Sequence, residues 1–480
     1  MMKKDLLVAL DIGTSGCRAA AVRTDGSIAA QHDFPLLPTR PAMGQSEYRA
    51  ADLLRAAQTS LEAVLTKIGP QNAAALAVTS QRSTVVLWDK TTGEGVGPVL
   101  TWEDGRAHLQ AQDVPLSQEE VHAKTGLYKT PFFSAPKIAW SLQNVPQAIS
   151  LVSQGRLLAA PVASYIIWHL TGGKTFAADY SLAQRTLLLD AAQLSWSETL
   201  CRAFDVPQEI LPSLKPSASD YGVYTYQGIS IPVCACVGDQ QAAAFYFGLT
   251  KNKSLINYGT GAFWLYHAGE NPVFLPGMLT SLAASSTLQT SDYLLEGPVN
   301  SAASALLWLK AQGILFEDSE VDALCAQANH PVLFLPSFGG LGAPYWDFET
   351  PTAVAGLSPH TRKPDWVAGV VRGVAFLLAD IATYLRANGL TVQGPVHVSG
   401  GLSRSNYLTS FQSDLLQLPL EVSHQADATL LGAAMLAAGH IGQPCSCTAA
   451  YTKVSPALSA QEAGDLYAAW QQFVARARKK

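Results

Sequence analysis

The feature that most restricts the fold is a strand–turn–strand pattern that occurs twice, about half a chain apart. The first copy has the apolar runs 6–10 and 18–22 around a Gly-rich turn. The second copy has the runs 254–258 and 262–266 around a Gly-Thr-Gly turn. Apolar segments joined by a small-residue turn are typical of a β-hairpin. Two matching hairpins in one chain indicate a duplicated architecture of two related α/β domains.

The segments between the hairpins alternate between helix and strand patterns. Apolar residues recur every three or four positions over 51–65, which predicts an amphipathic helix. The apolar run 73–79 predicts a buried strand, and Gln81, Arg82 and Ser83 come just after it. Because ligands of open α/β sheets bind beyond the carboxyl ends of the strands, these three side chains are candidates for substrate binding.

The second half shows the same alternation. A short strand at 396–398 leads into a Gly-Gly pair, and helix patterns follow over 407–416 and 428–438. We place the domain boundary after Gly248, which predicts an N-terminal domain of residues 1–249 and a C-terminal domain of residues 250–480.

Composition excludes several classes of function. Hydrophobic residues make up 48% of the chain and charged residues 14%, which is typical of a folded core and not of a disordered chain. The net charge is −5, and apart from the last three residues no block of Lys or Arg occurs, which argues against a nucleic-acid partner. No apolar run approaches the ~20 residues of a membrane span. Seven sparse cysteines favour a reducing compartment. We predict a cytoplasmic protein without a membrane partner, and the composition leaves a homo-oligomer open.

The two Gly-rich tips are candidate phosphate sites, because backbone N–H groups can converge on an anion where no Cβ intervenes. The alternative is that each tip is only a tight turn. Neither tip is a G-x-x-x-x-G-K-[ST] loop, so an ATP site here would be built from hairpins. The tip residues are Gly13, Thr14, Ser15, Gly259, Thr260 and Gly261.

Two charged residues flank the first tip. Asp11 ends the first strand, where a carboxylate can hold hydrated Mg²⁺. Arg18 follows the turn and could supply positive charge to a transferring phosphoryl group.

A third carboxylate, Asp239, lies between an apolar strand and a small-residue helix. One interpretation is that it caps the helix, since a carboxylate is favoured at a helix N-terminus. The other is that it is a base that accepts the proton of a substrate hydroxyl during attack on a phosphate.

Several polar and aromatic residues predict a site for a polyhydroxyl compound. Arg and carboxylate side chains can bind vicinal hydroxyls, while aromatic faces pack against the C–H side of a sugar. Each residue alone could equally be a surface ion pair or part of the core. The group consists of Gln81, Arg82, Trp102, Glu103, Asp104, Phe132 and Phe133.

Together these residues resemble the FGGY family of carbohydrate kinases over nearly the whole chain. Most of the motifs resemble the glycerol kinase members, and the stretch Trp102-Glu103-Asp104-Gly105-Arg106 resembles the Trp-x-Asp-x-Arg stretch of ketose kinases such as xylulokinase. The motifs that carry the resemblance are at 11–15, 132–144, 238–243, 257–261, 340–347 and 399–414.

The resemblance implies two actin-like (ribonuclease H-like) α/β domains with ATP and substrate in the cleft between them. It implies Asp239 as the general base, Asp11 and Asp239 near Mg²⁺, and the two hairpin tips around the phosphates. The residues implied beside the adenosine are Gly400, Gly401 and Asn406. The residues implied beside the substrate are Gln81, Arg82, Ser83, Trp102, Asp104, Phe132, Asp239 and Gln240.

The chain departs from the glycerol kinase pattern at two substrate positions. Those enzymes usually have Glu where this chain has Ser83, and Tyr where it has Phe132. Each lost hydrogen-bond partner would cost about 1–3 kcal/mol for a ligand that needs it, and the smaller Ser83 leaves room for extra carbons. We therefore predict an ATP-dependent kinase of a small polyol or ketose that need not be glycerol. Two other classes stay open: an actin-like ATP-dependent chaperone or filament protein, and a sugar sensor derived from an inactive kinase.

Overall fold

The structure is a computed structural model that describes residues 5–286, 291–423, 425–443, 445–447 and 450–479. Two large β-sheets form its frame. Within the described residues, the strands of the first sheet all end before residue 239, and those of the second all begin after residue 253.

The N-terminal half contains the six-stranded sheet, with strand order β13-β14-β5-β1-β2-β3, and a smaller sheet with order β4-β7-β6-β8. The strands are β1 (Leu6–Ile12), β2 (Gly16–Val22), β3 (Ile28–Pro35), β4 (Glu47–Tyr48), β5 (Ala73–Ser80), β6 (Val85–Asp89), β7 (Val99–Leu100), β8 (Leu157–Pro161), β9 (Ala177–Asp179), β10 (Leu189–Asp190), β11 (Ser195–Trp196), β12 (Ser213–Lys215), β13 (Val223–Tyr226) and β14 (Ile229–Gly238). The helices are α1 (Ala50–Ile68), α2 (His108–Gln112), α3 (Gln118–Thr125), α4 (Ser134–Asn144), α5 (Pro146–Ser153), α6 (Val162–Leu170), α7 (Tyr180–Gln184), α8 (Glu198–Ala203) and α9 (Asp239–Tyr246).

The C-terminal half contains the seven-stranded sheet, with strand order β17-β18-β16-β15-β21-β22-β23. The strands are β15 (Ser254–Tyr258), β16 (Ala262–Gly269), β17 (Leu279–Leu282), β18 (Tyr293–Val299), β19 (Leu333–Leu335), β20 (Ala353–Ala355), β21 (Val396–Gly400), β22 (Leu420–Ser423) and β23 (Tyr451–Val454). The helices are α10 (Ala303–Ala311), α11 (Val321–Ala326), α12 (Lys363–Ala387), α13 (Asn406–Leu416), α14 (Ala428–His440) and α15 (Ala460–Ala477).

Both predicted hairpins are present, and they occupy equivalent places in the two sheets. β1 pairs antiparallel with β2 and parallel with β5. In the same way, β15 pairs antiparallel with β16 and parallel with β21. The predicted helix over 51–65 lies within α1, and the strand over 73–79 lies within β5. The carboxyl ends of β1, β5 and β14 therefore meet at one edge of the N-terminal sheet.

Helices α9 and α14 pack on each other between the two sheets. An apolar cluster runs through them from the N-terminal sheet to the C-terminal sheet. At their crossing, a Cβ added to Gly432 would lie 1.9 Å from the carbonyl oxygen of Ala242, so only glycine allows this approach. The two halves thus share part of their core, and α9 begins with Asp239 at the edge just described.

Among the described helices, α12 has the length and apolar composition of a membrane span, but 83% of its most apolar window is buried inside the protein. It packs against α11, α13 and β19 in the core of the C-terminal half.

Candidate active site

The tip of the first hairpin is held in place by aromatic side chains from neighbouring segments. The N–H of Gly13 donates to the carbonyl of Gly16 at 2.9 Å, which closes the turn. The hydroxyl of Thr14 accepts a hydrogen bond from the Trp102 indole at 3.0 Å, and its carbonyl accepts one from the Tyr48 hydroxyl. The predicted phosphate tip and the predicted substrate residue Trp102 are therefore in direct contact.

Asp11 lies at the end of β1 and carries an unsatisfied oxygen. Its Oδ1 is buried and has no hydrogen-bond partner in the protein. Burial, together with the negative charges of Asp239 and Asp427, raises the pKa of Asp11 to about 7, although Arg18 opposes this shift. Such an oxygen is suited to a cationic ligand, because a buried acceptor without a partner is costly.

Asp239 is the first residue of α9, while Gly238 occupies the N-cap position. Its Oδ1 accepts a hydrogen bond from the N–H of Gln240 at 2.7 Å, and its side chain is 33% exposed. Burial raises the pKa of Asp239, and Arg82 counteracts that rise. The carboxylate therefore does not act as the N-cap of the helix, and it remains partly accessible to solvent.

Arg82 joins Asp239 to a buried ion-pair cluster. Its Nε lies 3.5 Å from Oδ1 of Asp239, and its Nη1 and Nη2 donate to the two oxygens of Glu296 at 2.8 and 3.0 Å. Arg185 donates to the same glutamate at 2.5 Å. Burial raises the pKa of Glu296, but Arg185 and Arg82 outweigh it and hold the pKa at about 2.

The other predicted substrate residues lie around Arg82. Gln81 donates to the carbonyl of Gly13 at 3.2 Å, which links the end of β5 to the phosphate tip. Ser83 is buried and has a left-handed backbone with φ of 65°. The side chains of Trp102 and Phe132 are exposed, so their ring faces are available to a ligand.

A buried lysine holds two of these segments together. The Nζ of Lys137 donates to the carbonyl of Phe132 at 2.6 Å and to that of Ser83 at 3.2 Å. Ser134 also donates to the Ser83 carbonyl, at 3.1 Å. Burial lowers the pKa of Lys137 to about 7, while Asp104 opposes this shift. The two positions at which the chain departs from the glycerol kinase pattern are thus fixed by one side chain.

Two predicted site residues are committed to protein partners. Asp104 is fully buried, and its oxygens accept hydrogen bonds from Arg106 and from the N–H of Ser46. Asp104 therefore shapes the loop after Trp102, and its predicted contact with a substrate would require these bonds to rearrange. Arg18 pairs with Asp11 in the β1–β2 register, but its guanidinium donates to Asp427 at 3.0 Å. In this arrangement Arg18 is not free to reach a phosphoryl group.

Two of the three predicted adenosine residues, Gly400 and Gly401, line a polar cavity of about 270 Å³ at the end of β21. Gly400 needs glycine here, because its φ is 97° and a Cβ would lie 2.2 Å from the carbonyl of Tyr258. Asn406 begins α13 and is exposed, with its backbone N–H bonded to Asp322. Gly259 and Thr260 are exposed at the tip of the second hairpin. The cavity is lined by Ala243, Asn257, Ser399, Gly400, Gly401, Ser403, Arg404, Ser423, Gln425, Ala426, Ala428 and Thr429.

Comparison with known proteins shows which family the chain belongs to. The sequence model of the FGGY family of carbohydrate kinases, N-terminal domain, matches residues 6–246, and that of the C-terminal domain matches residues 254–440. The chain belongs to the FGGY family of carbohydrate kinases. A glycerol kinase of Limosilactobacillus reuteri is 32% identical to it, over 100% of this chain and 99% of the relative.

Two solved kinases have the same fold. Glycerol kinase of Plasmodium falciparum with ADP superimposes with a TM-score of 0.91 at 24% identity, over 98% of each chain. Xylulose kinase of Rhodospirillum rubrum superimposes with a TM-score of 0.87 at 21% identity, also over 98% of each chain. The predicted class, two actin-like (ribonuclease H-like) α/β domains, is confirmed. As a member of this family, the protein is an ATP-dependent carbohydrate kinase.

Sequence reasoning missed Glu296 and Arg185, which hold Arg82 in this FGGY kinase. Glu296 lies within an otherwise apolar strand, Tyr293–Val299. A charge in such a strand is a usable signal, because a buried carboxylate must be paired. No comparable feature of the sequence indicates Arg185 as its partner.

Proposed function

We propose that this kinase transfers the γ-phosphoryl group of ATP to a hydroxyl of a small polyol or ketose, with Asp239 as the general base. The observation that carries the proposal is the meeting of Asp239, Arg82 and the Thr14–Trp102 contact at one edge of the N-terminal sheet. This edge holds a base, a cation and an aromatic face within a cleft, which is the set that phosphorylation of a polyhydroxyl compound needs.

In the proposed reaction, Asp239 accepts the proton of the attacking hydroxyl. Burial raises its pKa, which brings the carboxylate closer to the basicity that such a transfer requires. Arg82 orients the acceptor and favours the ionised form of Asp239 against the effect of burial, since its Nε lies 3.5 Å from the carboxylate. Closure of the two domains would exclude water and so limit hydrolysis of ATP.

The residues present fit Mg²⁺. Among the described residues no group of three or more His, Cys, Asp or Glu side chains could hold a metal ion. Mg²⁺ does not need one, because it is usually bound by one or two carboxylates together with substrate phosphates. Asp11 offers a buried oxygen without a partner, and its pKa responds to the charge of Asp239. When bound, the ion would neutralise developing charge on the phosphates.

The acceptor need not be glycerol, although the relatives at 32–35% identity are named glycerol kinase. Ser83 and Phe132 remove a carboxylate and a phenol from the substrate side. Arg82 and Trp102 remain, so the site keeps its cation and its aromatic face. We therefore favour an acceptor longer than three carbons.

The test is a coupled ADP-release assay with glycerol, tetritols, xylulose, ribulose and sedoheptulose as acceptors. We expect one of the longer compounds to give the highest kcat/KM. A kcat/KM for glycerol far above all the others would overturn this choice of substrate while leaving the kinase activity in place.

The sensor alternative is separated by Asp239→Asn. A kinase that uses Asp239 as its base should lose about 10²–10⁴-fold in kcat and still bind ATP with a similar Kd, measured by calorimetry. The contrary result is a wild-type protein that binds sugar and nucleotide and yet shows no acceptor-dependent turnover of ATP with any compound of the panel. That outcome would replace the kinase proposal with the sensor hypothesis.

A further inference from the structure

We infer that Glu296 is a positioning residue, which with Arg185 fixes the guanidinium of Arg82 beside Asp239 across the junction of the two domains. This inference rests on the proposed function, because it concerns the same acceptor site. Glu296 itself is 2% exposed, so it acts through Arg82 and does not contact the acceptor.

The donors of Arg82 show what Glu296 does. A guanidinium has five N–H groups in a fixed plane. Glu296 accepts one from Nη1 and one from Nη2, and this bidentate geometry fixes the plane of the group. The Nε edge then faces Asp239 at 3.5 Å. Two N–H groups remain for hydroxyls of an acceptor.

Arg185 and Ser281 hold Glu296 in turn. Arg185 donates to Oε2 of Glu296 at 2.5 Å, and the Ser281 hydroxyl donates to the same oxygen at 3.2 Å. Arg185 also donates to Ser281. The carboxylate therefore cannot rotate without breaking bonds on both sides. Burial lowers the pKa of Arg185, and repulsion by Arg82 lowers it further. The negative charge of Glu296 lies between these two guanidiniums and counteracts their repulsion.

The cluster is assembled from both halves of the chain. Arg82 and Arg185 follow β5 and α7 of the N-terminal half, whereas Glu296 lies in β18 of the C-terminal half. Next to Arg185, the amide of Gln184 donates to the carbonyl of Thr280 at 2.6 Å and accepts from the N–H of Leu282 at 2.7 Å. The orientation of Arg82 towards Asp239 thus depends on how the two halves pack.

Glu296→Gln tests this role, because it keeps the shape of the side chain and removes its charge. We expect the KM for the best acceptor of the panel to rise about tenfold or more and kcat to fall by a similar factor, with the KM for ATP within threefold of wild type. Glu296→Asp keeps the charge, and we expect it to restore part of the lost acceptor affinity.

Asp365→Asn is the matched control. Asp365 is also a buried carboxylate of the C-terminal half, but it accepts hydrogen bonds from the N–H groups of Asn329, His330 and Arg362, away from the cleft. We expect it to lower Tm without changing the KM for the acceptor. A Glu296→Gln enzyme whose KM and kcat match those of this control would overturn the inference.

A double-mutant cycle measured by thermal unfolding tests the contact between Glu296 and Arg185 even if no acceptor is found. Glu296→Gln and Arg185→Met should lower Tm by less in combination than the sum of their single effects, because each already breaks the same contact. Additive effects would overturn the inference even if the kinase proposal holds. Less-than-additive effects in a protein with no acceptor turnover would support the ion-pair link while refuting the proposed function. Glu296→Asp with Arg185→Lys provides the cycle if the first pair does not fold.

Discussion

Asp11 is a residue at which burial works against stability. Its Oδ1 is buried without a partner, and the nearby negative charges of Asp239 and Asp427 add to the cost of ionisation. Strongly perturbed carboxyl groups in a cleft are typical of functional sites, and they are often costly to the fold. The same environment that destabilises the carboxylate would favour the proposed binding of a cation beside it.

We expect Asp11→Asn to raise Tm at pH 8 by about 2–4 °C and to raise it less at pH 5. The pKa of Asp11 is about 7 in the folded protein against an ordinary value of 3.8. The folded state therefore binds the proton more tightly, and wild-type stability falls as the pH rises from about 4 to 7, then levels off. Asn has no proton to lose, so its advantage grows over that interval.

Thermal unfolding without nucleotide or Mg²⁺, at pH 5 and pH 8, measures this difference. The same variant should lose nearly all turnover at both pH values. A Tm difference that does not change with pH would contradict the raised pKa of Asp11.

At the scale of single elements, α4 holds two loops of the proposed acceptor site through Lys137. Its Nζ holds the carbonyls of Phe132 and Ser83, which lie on two separate loops. We expect Lys137→Met to raise the KM for the acceptor about tenfold, because the loops of Phe132 and Ser83 lose the two hydrogen bonds that fix their positions, while the KM for ATP stays within threefold. Steady-state kinetics with each substrate varied in turn would measure both constants. Equal increases in the two KM values would instead indicate general unfolding of the cleft.

The crossing of α9 and α14 sets the place of Asp239. We expect Gly432→Ala to cost about 1–3 kcal/mol in the free energy of unfolding and to lower kcat, because the new methyl would press on the carbonyl of Ala242 and shift α9. Gly439→Ala on the same helix is the control, since no atom lies within 4 Å of its added Cβ. It should be neutral or stabilising by up to ~1 kcal/mol. Denaturant unfolding and kcat would be measured for both variants. Equal losses of stability and of kcat in Gly432→Ala and Gly439→Ala would contradict the role of this crossing.

The elements that sequence predicted are those whose signal is local. The hairpin at β1–β2 and the helix α1 follow from apolar periodicity and turn residues, so their existence needed no tertiary information. The ion-pair cluster could not be predicted in this way, because Glu296 is separated by 111 positions from Arg185 and by 214 from Arg82. The bonds of Asp104 to Arg106 and to the N–H of Ser46 could not be predicted from its place near Trp102 in the sequence either, and its contact with a substrate stays a prediction.

Over the whole molecule, three kinds of contact join the two halves: an apolar cluster, buried hydrogen bonds and a partly exposed ion pair. A shared apolar cluster through α9 and α14 gives a continuous core. Buried polar contacts, such as Gln184 with Thr280, fix the register between the halves. A partly exposed pair, Arg18 with Asp427, bridges them beside Asp11. Because this last pair is the most solvated, it is the contact that domain motion could most easily break and re-form.

We expect Arg18→Ala and Asp427→Asn to lower the free energy of unfolding by similar small amounts. In the double variant the loss should be smaller than the sum of the two, with a coupling energy of about 0.5–1 kcal/mol. This coupling energy should decrease between 0.05 and 0.5 M NaCl, because salt screens the pair. The reason is that Arg18 donates to Asp427 at 3.0 Å and so serves the junction between the halves. Arg23→Ala is the control, because that arginine bonds only locally to Ser27 among its side-chain contacts in the described residues. Unfolding and kcat would be measured for all variants. A fall in kcat of more than about 10²-fold for Arg18→Ala, without a similar fall for Asp427→Asn, would contradict this purely structural role. Arg18 would then act on the phosphoryl group, as predicted from the sequence, and its ion pair with Asp427 would form only when no phosphoryl group is bound.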